Sequence, residues 1–300
     1  MKLPLLALNG AEPLAFLAAL GTLRGTATRW PSARLSWTGE APFQPLLELP
    51  DGVTEEAVIE NLVLVLHATE KLEFFTRFGS EVKVSPGEYR KLFDDLAGKE
   101  DEDSLAALEY LYALGNEMVP DRSGKKLKPT AWHMTAGQQQ FLEMAGILLR
   151  ETTAEHLRAA LLKPWEYVDP PPSMRWDTSG ERLYALEARN PSSVQIRTVR
   201  GANALGFLAL PFFPVSVVNG RLQTRGFIRT HERRDFLVWP IWRPGLTSQV
   251  IPLLLGDSRL AQSPTIPTSL IVSGVAAVYR SERSINDHGY GTLRPSEQIL

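Results

Sequence analysis

The sequence predicts an α+β protein in which a mixed sheet built from N- and C-terminal strands surrounds a buried helix, with a central all-helical block. Three observations support this class. Residues 1–53 have the order strand, turn, helix and strand; residues 54–168 carry apolar side chains at helical spacing; and residues 169–300 combine short strand-like runs with many arginines. We therefore divide the chain into these three segments.

The first segment begins with a predicted strand at residues 3–8, after which the Asn-Gly pair at residues 9–10 turns the chain. Pro13 stands in the first turn of a helix that runs to about Arg24. In a first turn a proline costs no helical hydrogen bond. A short strand over Ala33–Trp37 and a proline-spaced loop complete the segment.

Helices dominate the second segment. Thr54 precedes an acidic first turn and apolar residues at helical spacing, which predicts a capped helix. Further helices are predicted near residues 86–97, 104–118, 136–149 and 153–162. An acidic run between Leu96 and Leu105 and a basic loop between Gly115 and Trp132 are expected to be exposed and mobile.

The third segment opens on Pro170, Pro171 and Pro172, which predict a stiff extended connector and a domain boundary. An Asn-Gly pair at residues 219–220 predicts a β-hairpin, and Pro240 predicts a strand at a sheet edge. Residues 281–300 are expected to form a loose tail. The predicted elements are the strands Leu183–Leu186, Val194–Val199, Val215–Val218, Leu222–Ile228, Phe236–Trp242 and Ser269–Tyr279, the buried helix Ala202–Leu210 and a helix near 247–255.

The composition excludes several kinds of site. Cysteine is absent, which removes disulfides, thiolate metal sites and cysteine nucleophiles. The five histidines lack metal-type spacing, so neither a metal nor a cofactor is expected. No run approaches the roughly 20 unbroken apolar residues of a membrane span, and the amino-terminal apolar run is too interrupted for a signal peptide. We expect a cytoplasmic protein with no membrane partner.

Charge is divided unevenly along the chain. Residues 1–163 carry 17 Lys and Arg against 23 Asp and Glu, a net charge of −6, whereas residues 164–300 carry 15 against 11, a net charge of +4. All 15 cations of the second part are arginine, whose planar fork suits bidentate contact with phosphate. This division predicts a nucleic-acid-binding surface in the second part and basic neighbours for the first. A GC-rich genome, which favours arginine codons, is the alternative.

Arginines follow the second strand of the predicted hairpin and the residues after it. A two-residue period puts Arg221 and Arg225 on one face, and the series continues through Arg229, Arg233 and Arg234. Such a basic ribbon suits a phosphate backbone or a groove. The alternative is the outward face of a soluble hairpin.

A second candidate group lies around the start of the buried helix. Gln195 and Arg197 are expected to share the outward face of a strand. Arg200 and Asn203 are expected at the helix amino terminus, where free N–H groups favour an anion. The alternative is that Arg200 bonds the end of a neighbouring helix and Gly201 makes a tight corner.

The second segment contributes further candidates. Lys125, Lys126 and Lys128 suit sequence-independent phosphate contact, with a solvated loop as the alternative. Thr135 is expected to cap a helix that presents Gln138, Gln139 and Gln140, whose amides hydrogen-bond base edges or a protein partner.

Catalytic signatures are absent from the sequence: it contains no HExxH, P-loop, GxSxG or GxGxxG. A non-enzymatic binding protein is therefore predicted. The enzyme alternative is metal-independent RNA cleavage, with His231 as general base and Arg233 and Arg234 stabilising the phosphorane. A purely structural subunit that never touches nucleic acid is the other alternative.

Three stretches carry a resemblance to a known family. They are LNGAEPLAFLAALGTLR at the start, GANALGFLALPFFP followed by FLVWPIWRPGL, and TAGQQQFL. They resemble proteins of the type I-G (formerly I-U) CRISPR effector systems, and TAGQQQFL resembles a stretch of their large-subunit-like members. The matching residues include no catalytic signature.

The resemblance implies a non-catalytic, large-subunit-like protein of a Cascade-type surveillance complex in antiviral defence. Its partners would be CRISPR RNA, target DNA and other Cascade subunits. Large subunits of this kind contact the motif that flanks the target, help to open the duplex and recruit a separate helicase–nuclease in trans. In this setting the enzyme alternative becomes processing of CRISPR RNA.

Overall fold

The computed structural model describes residues 1–178, 197–262, 267–285 and 289–300. It confirms the α+β class. The predicted strand Leu183–Leu186 and residues 194–196 of the predicted strand Val194–Val199 lie outside the described residues. Within the described ranges, no helix combines the length and the apolar character needed to cross a bilayer.

The first segment folds as a three-stranded antiparallel sheet with one helix. Its elements are β1 (Lys2–Pro4), α1 (Pro13–Ala27), β2 (Arg34–Thr38) and β3 (Gln44–Glu48). β3 lies in the middle and pairs with both β1 and β2. Thirteen of the fifteen residues of α1 are buried, so this helix is enclosed on all sides.

The second segment is helical, as predicted. Its helices are α2 (Glu55–Glu70), α3 (Glu73–Phe78), α4 (Pro86–Ala97), α5 (Glu102–Leu114), α6 (Phe141–Glu151) and α7 (Ala154–Leu162). The Thr54 hydroxyl accepts a hydrogen bond from the backbone of Ala57, and Ser85 and Glu88 form a capping box. Asp101 caps α5, so the predicted mobile acidic run is partly ordered.

The third segment contains one buried helix, two short helices and seven strands among its described residues. They are α8 (Arg200–Leu208), β4 (Val215–Val218), β5 (Arg221–Thr224), β6 (Phe227–Arg229), β7 (Asp235–Trp242), α9 (Ile251–Leu255), α10 (Ser269–Val272), β8 (Val275–Ile285), β9 (Gly291–Leu293) and β10 (Glu297–Gln298). β4 and β5 form the predicted hairpin, with φ of 51° at Asn219 and 70° at Gly220, as a primed turn requires.

The expected mixed sheet separates into antiparallel sheets. The carboxyl-terminal sheet has the order β10-β8-β7-β6, with β9 also on β8. The chain just after β7 meets the amino-terminal sheet at a bridge in which Leu35 of β2 and Leu246 exchange backbone hydrogen bonds of 2.8 and 2.9 Å. The predicted strand Leu222–Ile228 is two strands, because Gly226, at φ 80°, turns the chain from the hairpin into this sheet.

Other predictions for this segment are corrected by strand pairing. β7 lies between β6 and β8 rather than at an edge. The backbone N–H of Val238 donates to the Gly226 carbonyl, and the nitrogens of residues two apart in a strand face the same side. The Pro240 nitrogen therefore also faces the β6 side, but it lies past Phe227, the first residue of β6, so its missing N–H breaks no hydrogen bond of the ladder. Ser269–Val272 is helix α10 rather than strand, and the expected loose tail extends β8 and forms β9 and β10.

The residues on both sides of the three prolines pack against the rest of the protein, whereas Pro170 and Pro171 are exposed. Asp169 and Thr198 form a β-bridge with hydrogen bonds of 3.2 and 3.0 Å, and Met174 and Trp176 are fully buried. One hydrophobic core contains side chains of all three segments, and a smaller core lies on the other face of the carboxyl-terminal sheet.

Helices α1 and α8 pack at the centre of the core, and glycines set their separation. A Cβ on Gly21 would lie 1.8 Å from the carbonyl oxygen of Leu205, and a Cβ on Gly201 would lie 2.4 Å from that of His156 in α7. All nine residues of α8 are buried. The backbone of α8 is therefore in direct contact with helices on two sides, which a side chain at either glycine would prevent.

We expect Gly21→Ala to lower the free energy of unfolding by about 1–3 kcal/mol, because its methyl group must displace the Leu205 carbonyl. Gly87→Ala is the matched control: nothing lies within 4 Å of a Cβ there, so it changes stability by less than about 1 kcal/mol. Urea unfolding midpoints measure both. An unchanged midpoint for Gly21→Ala would contradict the close contact.

Candidate nucleic-acid interface

Carboxylates neutralise part of the predicted arginine ribbon. Arg234 Nε lies 2.7 Å from Glu282 Oε1, a second bond joins the same pair, and the guanidinium lies over the Phe236 ring. This hydrogen bonding lowers the pKa of Glu282. Arg229 Nε lies 3.8 Å from Asp235 Oδ1. Arg229 and Arg234 are exposed, as predicted, but their charges are paired, so the ribbon is not a continuous row of free cations. Three further arginines are also paired: Arg259 with Asp257, Arg280 with Glu297, and Arg294 with Glu282.

The predicted anion site at the start of α8 is filled by the protein's own groups. Arg200 is buried, with Nη1 2.8 Å from Glu151 Oε2 at the end of α6. The carboxylate of Asp169 accepts a hydrogen bond from the Arg200 backbone at 2.8 Å. Asn203 is fully buried and bonds neighbouring backbone. The anion-site prediction is wrong, and the alternative, in which Arg200 bonds the end of a neighbouring helix, is confirmed.

Three other predicted residues, Arg197, His231 and Arg233, are exposed. Arg197 is exposed and donates to the Val168 carbonyl at 2.9 Å, while Gln195, on the same predicted face, lies outside the described residues. His231 and Arg233 are exposed in the turn between β6 and β7. Because Arg234 is paired with Glu282, His231 lacks one of the two arginines that the cleavage alternative requires. In the described part of the chain, no three His, Asp or Glu side chains gather as a metal site.

The basic loop and the hairpin do come together. Thr224 Oγ1, at the end of β5, lies 2.9 Å from the backbone nitrogen of Ala131 and 3.3 Å from Thr130 Oγ1. Lys128 is two residues before Thr130, and Arg225 follows Thr224, so their Cα atoms lie within about 7 Å and 4 Å of the two threonines. We name the cations of the two segments that meet here the loop–hairpin surface: Arg122, Lys125, Lys126, Lys128, Arg221 and Arg225.

An aromatic cluster fixes the junction. Trp132, next to Ala131, is fully buried, and its ring centroid lies 4.9 Å from Phe227 and 5.0 Å from Phe213, both edge-to-face. Trp176 donates its indole N–H to the Trp132 carbonyl at 2.9 Å. Since Phe227 begins β6 and Trp176 follows the proline connector, the cluster ties the basic loop to the strand-rich segment.

The basic loop is a closed turn. Pro120 and Leu127 form a β-bridge, and Leu127 is fully buried. The Asp121 carboxylate accepts hydrogen bonds from Ser123 and from the Lys126 backbone, and the bond from the Ser123 hydroxyl contributes most to lowering the pKa of Asp121. The turn leaves its four cations exposed, and none has a carboxylate within 4 Å in the part of the chain that the structure describes. Arg122 was missed in the sequence because it stands next to Asp121.

The hairpin contributes Arg221 on its outer face. Arg221 and Gln223 are exposed, while Leu222 and Thr224 face inward, so the predicted two-residue period is confirmed over β5. Arg221 makes no ion pair with a described carboxylate. Its charge is therefore available to an external anion.

Arg225 departs from that period, because β5 ends before it. Its Nε lies 3.7 Å from the point where a Cβ of Gly256 would stand, at the end of α9, and the side chain is half-buried. Burial lowers the pKa of Arg225. Among the described carboxylates, none pairs with this guanidinium. A partly desolvated cation without a counter-charge is stabilised by an anion from outside.

The glutamines lie in the turn before α6 rather than on a helix. α6 begins at Phe141, and the hydroxyl of Thr135 is buried without a described partner, so its predicted capping role is wrong. Gln138 is exposed. The side-chain oxygen of Gln139 is buried with no partner among the described groups, and Gln140 bonds Ser80. Gln138 alone of the three therefore has the exposure that direct base contact requires.

An acid–base pair holds the segment between the basic loop and α6. His133 Nε2 lies 2.8 Å from Glu81 Oε1, and the imidazole stacks on Phe141. Burial alone would raise the pKa of Glu81, but the hydrogen bond and charge of His133, with a bond from the Val82 backbone, together lower it. The pair fixes the residue that follows Trp132 and so supports the junction.

We expect Arg200→Met to lower the free energy of unfolding by about 1–3 kcal/mol, since it removes a charged hydrogen bond from a buried position. The affinity of the folded protein for an oligonucleotide should not change. Arg233→Met, at an exposed site, is the control and should stay within about 0.5 kcal/mol of wild type. If Arg200→Met binds the oligonucleotide more weakly but unfolds at the same urea midpoint as wild type, the anion-site prediction is supported instead.

Glu81→Gln should make unfolding less dependent on pH. Because the folded state lowers the pKa of Glu81, the pair stabilises the fold above the ordinary value of 4.5, and this contribution is lost as pH falls through the folded-state pKa. The stability difference between wild type and Glu81→Gln should therefore be largest at neutral pH and vanish in acid. Urea midpoints from neutral to acidic pH test this, with the exposed Glu60→Gln as control. A difference that is constant with pH would contradict the pairing.

Comparison with known proteins adds no family to these observations. No protein-family model matches the chain, and no curated protein sequence matches it. A functional assignment therefore rests on the residues and their geometry, together with the resemblance that the sequence itself carries.

Proposed function

We propose that the protein is a non-catalytic nucleic-acid-binding subunit of a CRISPR surveillance complex of the Cascade type. The observation that carries the proposal is the loop–hairpin surface. Six cations belong to two segments of the chain that meet at one hydrogen-bonded junction, and none of the six forms an ion pair with a described carboxylate. The resemblance to type I-G effector proteins supplies the biological setting.

The chemistry of this surface suits a phosphate backbone. Lysine acts as a point charge that tolerates varied phosphate geometry, and arginine adds a planar fork. Of the six cations, Arg225 gains most from binding an external anion, because its guanidinium is already partly desolvated and has no described counter-charge. Contacts of this kind position a nucleic acid without selecting its sequence. Exposed Gln138 is the candidate for a base contact.

The partners follow from the resemblance and from charge. In the proposed complex this subunit contacts target DNA near the flanking motif, CRISPR RNA and other Cascade subunits, and a separate helicase–nuclease is recruited in trans. Outside the basic loop, the acidic first part of the chain, whose net charge is −6 over residues 1–163, suits basic subunits rather than nucleic acid.

The proposal predicts the salt dependence of binding. Lys125→Ala/Lys126→Ala/Lys128→Ala/Arg221→Ala should weaken binding of a DNA oligonucleotide. It should also reduce the slope of log affinity against log salt by up to about 3 for single strands, since each phosphate contact contributes about 0.7. The matched control, Lys2→Ala/Lys71→Ala/Lys91→Ala/Lys163→Ala, changes net charge equally at exposed lysines elsewhere. Fluorescence anisotropy at several salt concentrations measures both.

An equal loss in the two quadruple variants would show that net charge, rather than this surface, binds DNA. No measurable binding by wild type at low salt would favour the purely structural alternative. If the wild type cleaves a CRISPR repeat RNA and His231→Ala abolishes that cleavage, the nuclease alternative replaces the proposal.

A further inference from the structure

The solvent face of α5 carries an apolar stripe. Leu105 and Tyr112 are each 53% exposed, and half-buried Leu108 lies between them. The spacing i, i+3, i+7 places the three on one side of a helix. A single exposed leucine needs no explanation, whereas an ordered apolar row on a solvent face indicates contact with something else.

The stripe continues onto α4 and the turn after α5. Tyr112 meets Phe93 of α4 edge-to-face, with ring centroids 5.3 Å apart. Arg90, one turn before Phe93, lies 3.2 Å from Glu117, which brings Met118, 73% exposed, to the same end of the helix pair. We name these residues the α4–α5 face: Phe93, Leu105, Leu108, Tyr112 and Met118.

The surroundings of this face are acidic. Residues 86–118 contain three Lys and Arg against nine Asp and Glu, a net charge of −6, which equals that of the whole of residues 1–163. Glu100, Glu102 and Asp103 are exposed at the start of α5, and none forms an ion pair with a described cation. The face is therefore an apolar row with an anionic rim.

We infer that the α4–α5 face docks a basic amphipathic helix of another protein. Apolar side chains of such a helix would pack on the Leu105–Tyr112 row, and its flanking Lys and Arg would meet the carboxylates. Charge disfavours the other occupants: nucleic acid would face a net charge of −6, and in a two-fold dimer a second copy of this chain would oppose one acidic face with another. The inference deepens the assembly part of the proposed function and rests on it for the partner being another subunit.

A synthetic peptide tests the face without any nucleic acid. The probe is a labelled helix with leucines in one row and lysines beside them; the comparison peptides are its scrambled sequence and the version with glutamate for lysine. Wild type should bind the probe and neither comparison peptide. Leu105→Ser/Tyr112→Ser should weaken binding at least about tenfold. Leu64→Ser/Leu253→Ser, at leucines 64% and 74% exposed on α2 and α9, is the matched control and should bind as wild type.

A charge-reversal variant gives an independent readout. Glu100→Lys/Glu102→Lys should weaken binding of the basic peptide and strengthen that of the acidic one. Equal binding of the scrambled peptide, or no effect of the Leu105 and Tyr112 changes in a protein that unfolds as wild type, would overturn the inference. If the wild type self-associates and Leu105→Ser/Tyr112→Ser abolishes this self-association, the face binds a second copy of the chain instead. Since oligonucleotide binding is measured separately, failure here leaves the loop–hairpin surface untouched, and the reverse also holds.

Discussion

The backbone contact between α1 and α8 is the constraint on which the rest of the structure depends. Gly21 and Gly201 let α8 touch two neighbouring helices, and neither α1 nor α8 presents a face to solvent. Such helices must be covered on every side. β7 covers part of α1: the rings of Trp239 and Trp242 lie 6.0 and 6.3 Å from that of Phe16, and their indole N–H groups donate to carbonyls of the first segment at 2.9 and 2.8 Å. The two longer stretches that resemble type I-G proteins form these packed elements. The resemblance therefore lies in residues that build the core rather than in residues of a binding site.

The sequence correctly predicted those elements whose ends or turns are set by interactions between neighbouring residues. Thr54, the Ser85 capping box and the Asn219-Gly220 turn each act within a few residues, and the structure has an element beginning or turning at each. The misplaced elements depend on distant strands. Residues 281–300 have no strong strand signal, yet β10 pairs with β8 and β9 completes the sheet. Pairing partners far apart in sequence supply the hydrogen bonds that settle these assignments.

The same distinction explains which site residues were predicted. Arg200 and Arg234 looked free in the sequence, but their carboxylates stand 49 and 48 residues away and reach them only in the fold. The basic loop contains two acidic residues: Asp121, whose carboxylate is used by the backbone of its own turn, and Glu117, which pairs with Arg90 of α4. Charge counted along a sequence therefore identifies a surface only where the possible counter-charges are local.

α5 connects the two proposed surfaces. It carries the α4–α5 face, and the basic loop begins directly after it. The hydroxyl of buried Tyr89 lies 2.6 Å from the Leu111 carbonyl oxygen and 2.9 Å from that of Gly115, which ties the end of α5 to α4. Burial raises the pKa of Tyr89, so this contact does not titrate near neutral pH. A helix docked on the α4–α5 face would thereby hold the basic loop in a fixed position within an assembly, and a pre-positioned loop binds a phosphate backbone with less loss of conformational entropy.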